Sequence, residues 1–174
     1  IPILPPDVNA SAIDFVIERL ADGQRGIRFG LSAVKNVGEK AEEQILAARA
    51  AGGRFANLVD FSRRVDLRVI GKRALECLAK VGAFDSLVNG AREVAVAAVE
   101  RMYAYSDEYH RAVERGQFSL FGGETDSGFA LPAPEADGDA KARLKKRWQW
   151  EKELIGLYVS SHPLSNLPKE IEQL

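Results

Sequence analysis

Two stretches of this 174-residue chain constrain its fold most, because each sets a helix boundary at a turn too tight for most side chains. In GLSAVKNVGEKAEEQILAARAAGG, residues 30–53, Leu31 and Val34 precede Asn36-Val37-Gly38, and Val37, Ala41, Ile45, Leu46 and Ala48 continue at near-helical spacing. This pattern predicts two helices meeting at a tight turn. Gly38 and Asn36 would supply the positive φ that such a turn demands, and Gly52-Gly53 would end the second helix. A second copy follows in VIGKRALECLAKVGAFDSL, residues 69–87. There Val69, Leu75, Leu78 and Val81 share a helix face, Gly82-Ala83 turns the chain, and Asp85 is placed to cap what comes next. The expected fold is mainly α, built on two tandem helical hairpins with a long loop and short extended segments.

A helix that starts straight after such a turn aims unpaired backbone N–H groups outward, which makes an anion site. Lys35, Asn36, Val37, Gly38 and Lys40 surround that point in the first hairpin, and Val81, Gly82 and Ala83 are its counterparts in the second. Between the two lie Arg63, Arg64, Arg68, Lys72 and Arg73 against the single acidic neighbour Asp66. Net charge is only -1, but residues 19–80 hold 13 basic and 7 acidic residues, whereas 107–139 hold 2 and 8. A polyanion is drawn to the first region and repelled by the second, duplex DNA carrying one charge about every 1.7 Å of its axis. Arg68, Lys72 and Arg73 are therefore candidate backbone contacts of the kind that position a protein on DNA without reading sequence. The competing reading is that these cations solvate exposed helix faces and the hairpins are packing devices.

The remaining chemistry is soon bounded. One cysteine, Cys77, excludes a disulfide framework and sits in the helical pattern as a small core residue of a reducing compartment. His110 and His162 lack neighbouring ligands, so no metal site is expected. Neither a membrane-length apolar run nor a signal peptide is present, which points to the cytoplasm. The opening without Met suggests a piece of a longer chain. In AIDFVIERLA, Ile13, Val16, Ile17 and Leu20 predict a helix capped by Asn9 or Ser11, followed by a turn and extended segment in GQRGIRFG. A long helix is expected over 91–115, with Val94, Ala97, Ala98, Arg101, Met102 and Tyr105 on one face. Residues 122–140 read as a mobile linker. A closing helix follows with Leu144, Trp148 and Ile155 on one face; Trp148 and Trp150 are read as anchors to the core, with base stacking among the neighbouring cations as the alternative.

Six blocks in order, ILPPDVNAS, RFGLSAVKNVGEKA, DFSRRVD, KRALECLAKVGAFDSL, GQFSLFG and WEKELIGLYVSSHPL, resemble the bacterial replicative DNA polymerase III alpha subunits over nearly the whole chain. The resemblance implies the end of the fingers region over 1–30 and a tandem helix-hairpin-helix domain over 31–115. It further implies a clamp-binding peptide on a flexible acidic loop over 116–140, and over 141–174 a closing helix leading to an oligonucleotide-binding fold. Gln117, Phe118, Ser119, Leu120 and Phe121 match the Gln-x-x-Leu-Phe form that docks in such proteins on the beta sliding clamp. Expected partners are thus double-stranded DNA backbone, the clamp, and the other domains of the polymerase and its holoenzyme. The resemblance places the catalytic carboxylates and their magnesium in the parent palm, so no cofactor and no polymerase activity are expected of this segment alone. A helix-hairpin-helix repair protein and a purely structural connector are the alternatives. The sequence departs from the family at Asn36, where relatives often carry Gly, at Gly71, where Asn commonly caps, and at Ser161, which replaces a Gly.

Overall fold

The structure, a computed structural model, describes residues 1–116, 128–134 and 139–159. It is mainly helical, as expected, with a small sheet at its amino-terminal edge. Strands β1 (Ile3–Leu4), β2 (Val16–Arg19) and β3 (Arg25–Arg28) are ordered β1-β3-β2, parallel on one side and antiparallel on the other. The helix expected from AIDFVIERLA is therefore a strand. Ile13, Phe15, Val16 and Ile17 are β-branched or aromatic, types that lose side-chain freedom in a helix and suit a pleated surface. Its proposed caps are engaged elsewhere. Asn9 exchanges hydrogen bonds with the backbone of Phe55, and the Ser11 hydroxyl donates to the Phe29 carbonyl at 2.6 Å. Glu18 pairs with Arg28 across β2 and β3, and that guanidinium holds the Glu18 carboxyl below its ordinary range.

Helices α1 (Glu39–Gly52), α2 (Leu58–Arg64), α3 (Leu67–Ile70) and α4 (Lys72–Lys80) follow, then α5 (Arg92–Glu114) and α6 (Ala140–Leu154). Single 3-10 turns cover Leu31–Ala33 and Asp85–Leu87. Local chemistry sets several boundaries. The side chains of Asn57, Asp66 and Asp139 accept from the first-turn amides of α2, α3 and α6, and Gly53, at φ +75°, stops α1. Gly71 is more than a weak cap, because its φ of +85° with ψ 151° joins α3 to α4 in a region that glycine alone adopts at low cost.

One core runs from Val8 to Leu154. Phe55, Phe61 and Phe84 meet edge to face at 4.9 Å in succession, and Leu58, Leu67, Leu75, Leu78 and Met102 close around them. Helix α5 is the rod against which α2, α3 and α4 lie. Its buried residues are Arg92, Val94, Ala95, Ala98, Val99, Met102 and Ser106, so Val94, Ala98 and Met102 of the expected row face the core while Ala97 and Arg101 are exposed. Ser106 occupies the core because its hydroxyl receives the Leu67 N–H and donates to the Val65 carbonyl. Cys77 is buried, as read from the sequence.

The span expected to be a mobile linker is anchored where it is described. Gly128 lies against Val59, the Phe129 ring packs 5.5 Å from Tyr105, and Arg101 donates to the Ala130 carbonyl at 2.6 Å. Composition predicted a linker here, and contacts of Gly128 with α2 and of Phe129 and Ala130 with α5 hold it in place. The closing helix also differs from expectation. Its buried residues are Glu151 and Leu154, with Ile155 packed beside them, whereas Trp148 lines an outward groove.

The second hairpin turn yields the first prediction. Gly82 stands at φ +89°, and a Cβ there would meet the Asp85 carboxylate at 2.8 Å and the Arg92 guanidinium carbon at 2.9 Å. Gly82→Ala is expected to destabilise the chain by more than about 1–2 kcal/mol, the usual cost of the left-handed backbone alone. Urea unfolding checks it, and an unchanged midpoint would count against this packing.

Candidate nucleic-acid interface

The first hairpin is shorter than its sequence pattern suggests. Its leading arm is only the 3-10 turn Leu31–Ala33, after which the chain turns through Asn36 at φ +69°. Gly38 does not take positive φ; it is the extended N-cap of α1, at φ -90° and ψ 166°. Leu31, Val34 and Val37 are buried and hold the turn down, while Lys35, Asn36, Gly38, Glu39 and Lys40 are exposed. Asn36 contributes more than backbone tolerance, since its amide donates to the Cys77 sulfur on α4 at 3.5 Å.

At Gly38 no side chain caps α1, and space around its Cα is open. The first-turn amides of α1 thus face solvent without a capping oxygen, and Lys35 and Lys40 flank them with no ion-pair partner among the described residues. One sequence-predicted donor is withdrawn: the Lys35 N–H bonds to the Leu154 carbonyl of α6 at 2.9 Å. Glu42 sits buried one turn into α1. Its carboxyl is pushed up by burial, and then by Glu39, Asp14 and Glu43.

The second hairpin presents a different surface. Val81, Gly82 and Ala83 are all buried, and their amides donate to the carbonyls of Cys77, Ala79 and Leu78. These three residues are not exposed beside the first turn; the Ala83 carbonyl instead accepts the Val8 N–H. Asp85 does not cap the following turn. It pairs with Arg92 at 3.0 Å, and burial pushes its carboxyl up while Arg92 opposes that shift.

The cations between the hairpins are mostly neutralised within the fold. Arg68 pairs with Asp66 at 2.7 Å and Glu114 at 2.6 Å, which raises its own pKa and lowers those of both carboxyls. Lys72 pairs with Glu100 at 2.9 Å and lies over the Tyr103 ring, its pKa raised chiefly by that carboxylate. Arg64 bonds Asp60 and the carbonyls of Ala48, Gly53 and Arg54, and Arg63 bonds the Tyr105 hydroxyl. Arg73, exposed at the start of α4, has no ion-pair partner among the described residues.

Sequence reasoning missed the residues that hold this surface together. Arg92 and Glu151, 2% and 0% exposed, pair at 2.8 Å and tie α6 under the second turn. Arg147 adds a two-pronged contact to Glu93, lowering that carboxyl, and donates to the Gly90 carbonyl. A signal for Arg92 did exist, since it occupies an apolar-stripe position at spacings of three, four, three and four with Ala95, Val99, Met102 and Ser106. Gln117, Phe118, Ser119, Leu120 and Phe121 lie outside the described residues.

An open helix start after a tight turn, repeated in altered form against a shared core, defines a hairpin-based scaffold. The chain belongs to the helix-hairpin-helix motif family, whose model matches residues 1–95. It is similar to DNA polymerase III subunit alpha of Thermus aquaticus, with 41% identity over 168 residues that make up 97% of this chain and 13% of that protein. The same subunit of Mycobacterium leprae is 36% identical over 96% of the chain and 14% of its own length. That of Pseudomonas aeruginosa is 37% identical over 98% and 15%. The chain thus spans about one seventh of these relatives, and the family resemblance read from the six blocks is borne out. Among the described residues, no group of three His, Cys, Asp or Glu side chains is placed to hold a metal ion, and no helix is long and apolar enough to cross a membrane.

Proposed function

We propose that the chain is a DNA- and sliding-clamp-binding module of a bacterial replicative polymerase. The observation that carries the DNA reading is the uncapped start of α1 at Gly38, open in space and flanked by exposed Lys35 and Lys40. A phosphate meets backbone N–H groups and two lysines there and no base-reading side chain, so the contact is electrostatic and sequence-independent. Arg73 at the start of α4 extends it, whereas the buried Val81-Gly82-Ala83 turn supports the fold beneath. Arg68 and Lys72 join only by exchanging their carboxylate partners for phosphate.

The clamp half of the reading assigns Gln117, Phe118, Ser119, Leu120 and Phe121 to the beta sliding clamp. The anchoring of Phe129 and Ala130 on α5 supports it, since a loop held at both ends has less freedom to lose on docking. On this reading residues 1–30 end the fingers region, 31–115 form the hairpin domain, 116–140 present the clamp peptide, and 141–174 lead to an oligonucleotide-binding fold. Polymer synthesis and its magnesium belong to the palm of the whole enzyme, in the cytoplasm at the nucleoid.

Charge reversal tests the DNA half. Lys35→Glu with Lys40→Glu is expected to weaken duplex binding and to flatten the dependence of log affinity on log salt by about 2, near 0.9 per lost phosphate contact. Unchanged affinity and slope would remove the first hairpin from the interface.

A further inference from the structure

We propose that the outer face of the amino-terminal sheet docks another part of the parent polymerase subunit, a segment that sets apolar residues against Ile3, Ile17 and Ile27 and a carboxylate between Arg19 and Arg25. Residues two apart in a strand share a face, and so do residues opposite one another in neighbouring strands. The register pairs Ile17 with Ile27, Ile3 with Ile27, and Arg19 with Arg25, so these side chains occupy one side of the sheet. Ile3 is 44%, Ile17 69% and the adjoining Phe15 58% exposed. The usual order of a half-covered sheet, apolar in and polar out, is inverted here. Its inward side carries the ion pair of Glu18 with Arg28, and Arg28 also donates to the Pro5 carbonyl at 2.9 Å.

The arginines define the charge of the occupant. Like charges directly opposite on neighbouring strands destabilise a sheet, and Arg19 and Arg25 are exposed with no ion-pair partner among the described residues. By contrast Arg28, Arg64 and Arg68 each meet a carboxylate of the chain. A carboxylate set between Arg19 and Arg25 turns their repulsion into a two-armed contact, which the planar guanidinium favours. The isoleucine row beside them gains only when the same partner also covers it with apolar side chains.

These two features select among occupants. A duplex supplies phosphates to the arginines and leaves Ile3, Ile17 and Phe15 wet. A second copy brings the same arginines and no carboxylate on its own face, so two copies repel where they meet. The rest of the subunit is large enough to supply the segment, since the chain covers 14%, 13% and 15% of the three relatives. Contact between parts of one polypeptide also needs little intrinsic affinity, because linkage keeps the effective concentration high, and that suits a patch of a few side chains. The inference rests on the chain's being one part of a polymerase subunit and on neither the DNA nor the clamp contact.

Thiol labelling of Ile17→Cys tests the assignment, in the 174-residue chain and in the whole polymerase subunit, with modification at that peptide read by mass spectrometry. Ile17 is exposed and Cys77 buried, so the chain alone should label fast at position 17. In the whole subunit the rate is expected to fall by at least about 10-fold, because the contact must open before reagent enters. Arg19→Glu separates docking from folding. In the chain alone it replaces a repulsive cross-strand pair by an attractive one and should keep or raise the melting temperature. In the whole subunit it should return labelling at position 17 toward the rate of the chain alone. Equal rates in the two proteins, or a slowed rate that Arg19→Glu leaves unchanged, would overturn the proposal. Slowing of the chain alone by added duplex would overturn it and reassign the face to nucleic acid, and slowing with chain concentration would reassign it to a second copy. Primer extension and clamp binding by the same preparation of whole subunit keep the two readings apart. Both activities with fast labelling sink the docking inference alone, and slow labelling with neither activity sinks only the functional one.

Discussion

Glu151→Ala is expected to lower the unfolding free energy by about 3–5 kcal/mol, the range for breaking a buried ion pair by removing one member. Arg92 lies in the core at 2% exposure, and its guanidinium donates to Glu151 at 2.8 Å, to Asp85 at 3.0 Å and to the Lys80 carbonyl at 3.4 Å. The other Glu151 oxygen accepts the Val159 N–H at 2.9 Å. Truncation thus takes from the buried Arg92 one of its two described carboxylate partners, removes the acceptor of the Val159 N–H, and loosens the hold on α6. Denaturant unfolding of the single variants and of Arg92→Met with Glu151→Leu separates the pair from its desolvation, since the double replacement should recover most of the loss. A single-variant loss under about 1 kcal/mol would mean that water reaches the pair. Asp85 acts in the opposite sense. Its folded-state pKa is raised above the ordinary 3.8, so its burial subtracts stability above that pH and acidification through the raised value returns it.

Leu120→Ala with Phe121→Ala is expected to weaken clamp binding about 100- to 10,000-fold while leaving duplex affinity alone. Burying each side chain contributes about 1.5–3 kcal/mol, and every 1.4 kcal/mol is tenfold in affinity. On the proposed reading, two such anchors would account for nearly all of a weak peptide contact. Linkage to a DNA grip raises the effective affinity of both, so the same double variant should shorten synthesis runs by the whole polymerase well before it alters the rate of single additions. Surface plasmon resonance against the clamp checks the first statement, and primer-extension length the second. Clamp affinity equal to that of the unchanged chain would refute the assignment of this peptide.

Much of the fold was legible in the residues. The turns at Asn36 and Gly82 and the helix stop at Gly53 are readable from residue type, and all three residues adopt positive φ. Each follows from sterics or hydrogen bonding within a few residues. The error at residues 13–20 has an equally local origin, because a short run of Ile, Phe and Val fits helical and strand periods alike. Only pairing with β3, in register Ile17 to Ile27, selected the strand.

The candidate site divides along the same line. By itself the sequence determined where the chain turns, which helix starts lack a capping side chain, and which residue types gather there, since these depend on neighbours in the chain. The tertiary structure alone decided which of those groups remain open to a partner. Arg68 meets Glu114 from 46 residues away, Arg92 meets Glu151 from 59, and the second turn lies under α6 while the first keeps its helix start exposed. A charge or an amide is available for binding only when folding has given it no nearer partner, and such partners come from elements that local sequence does not see.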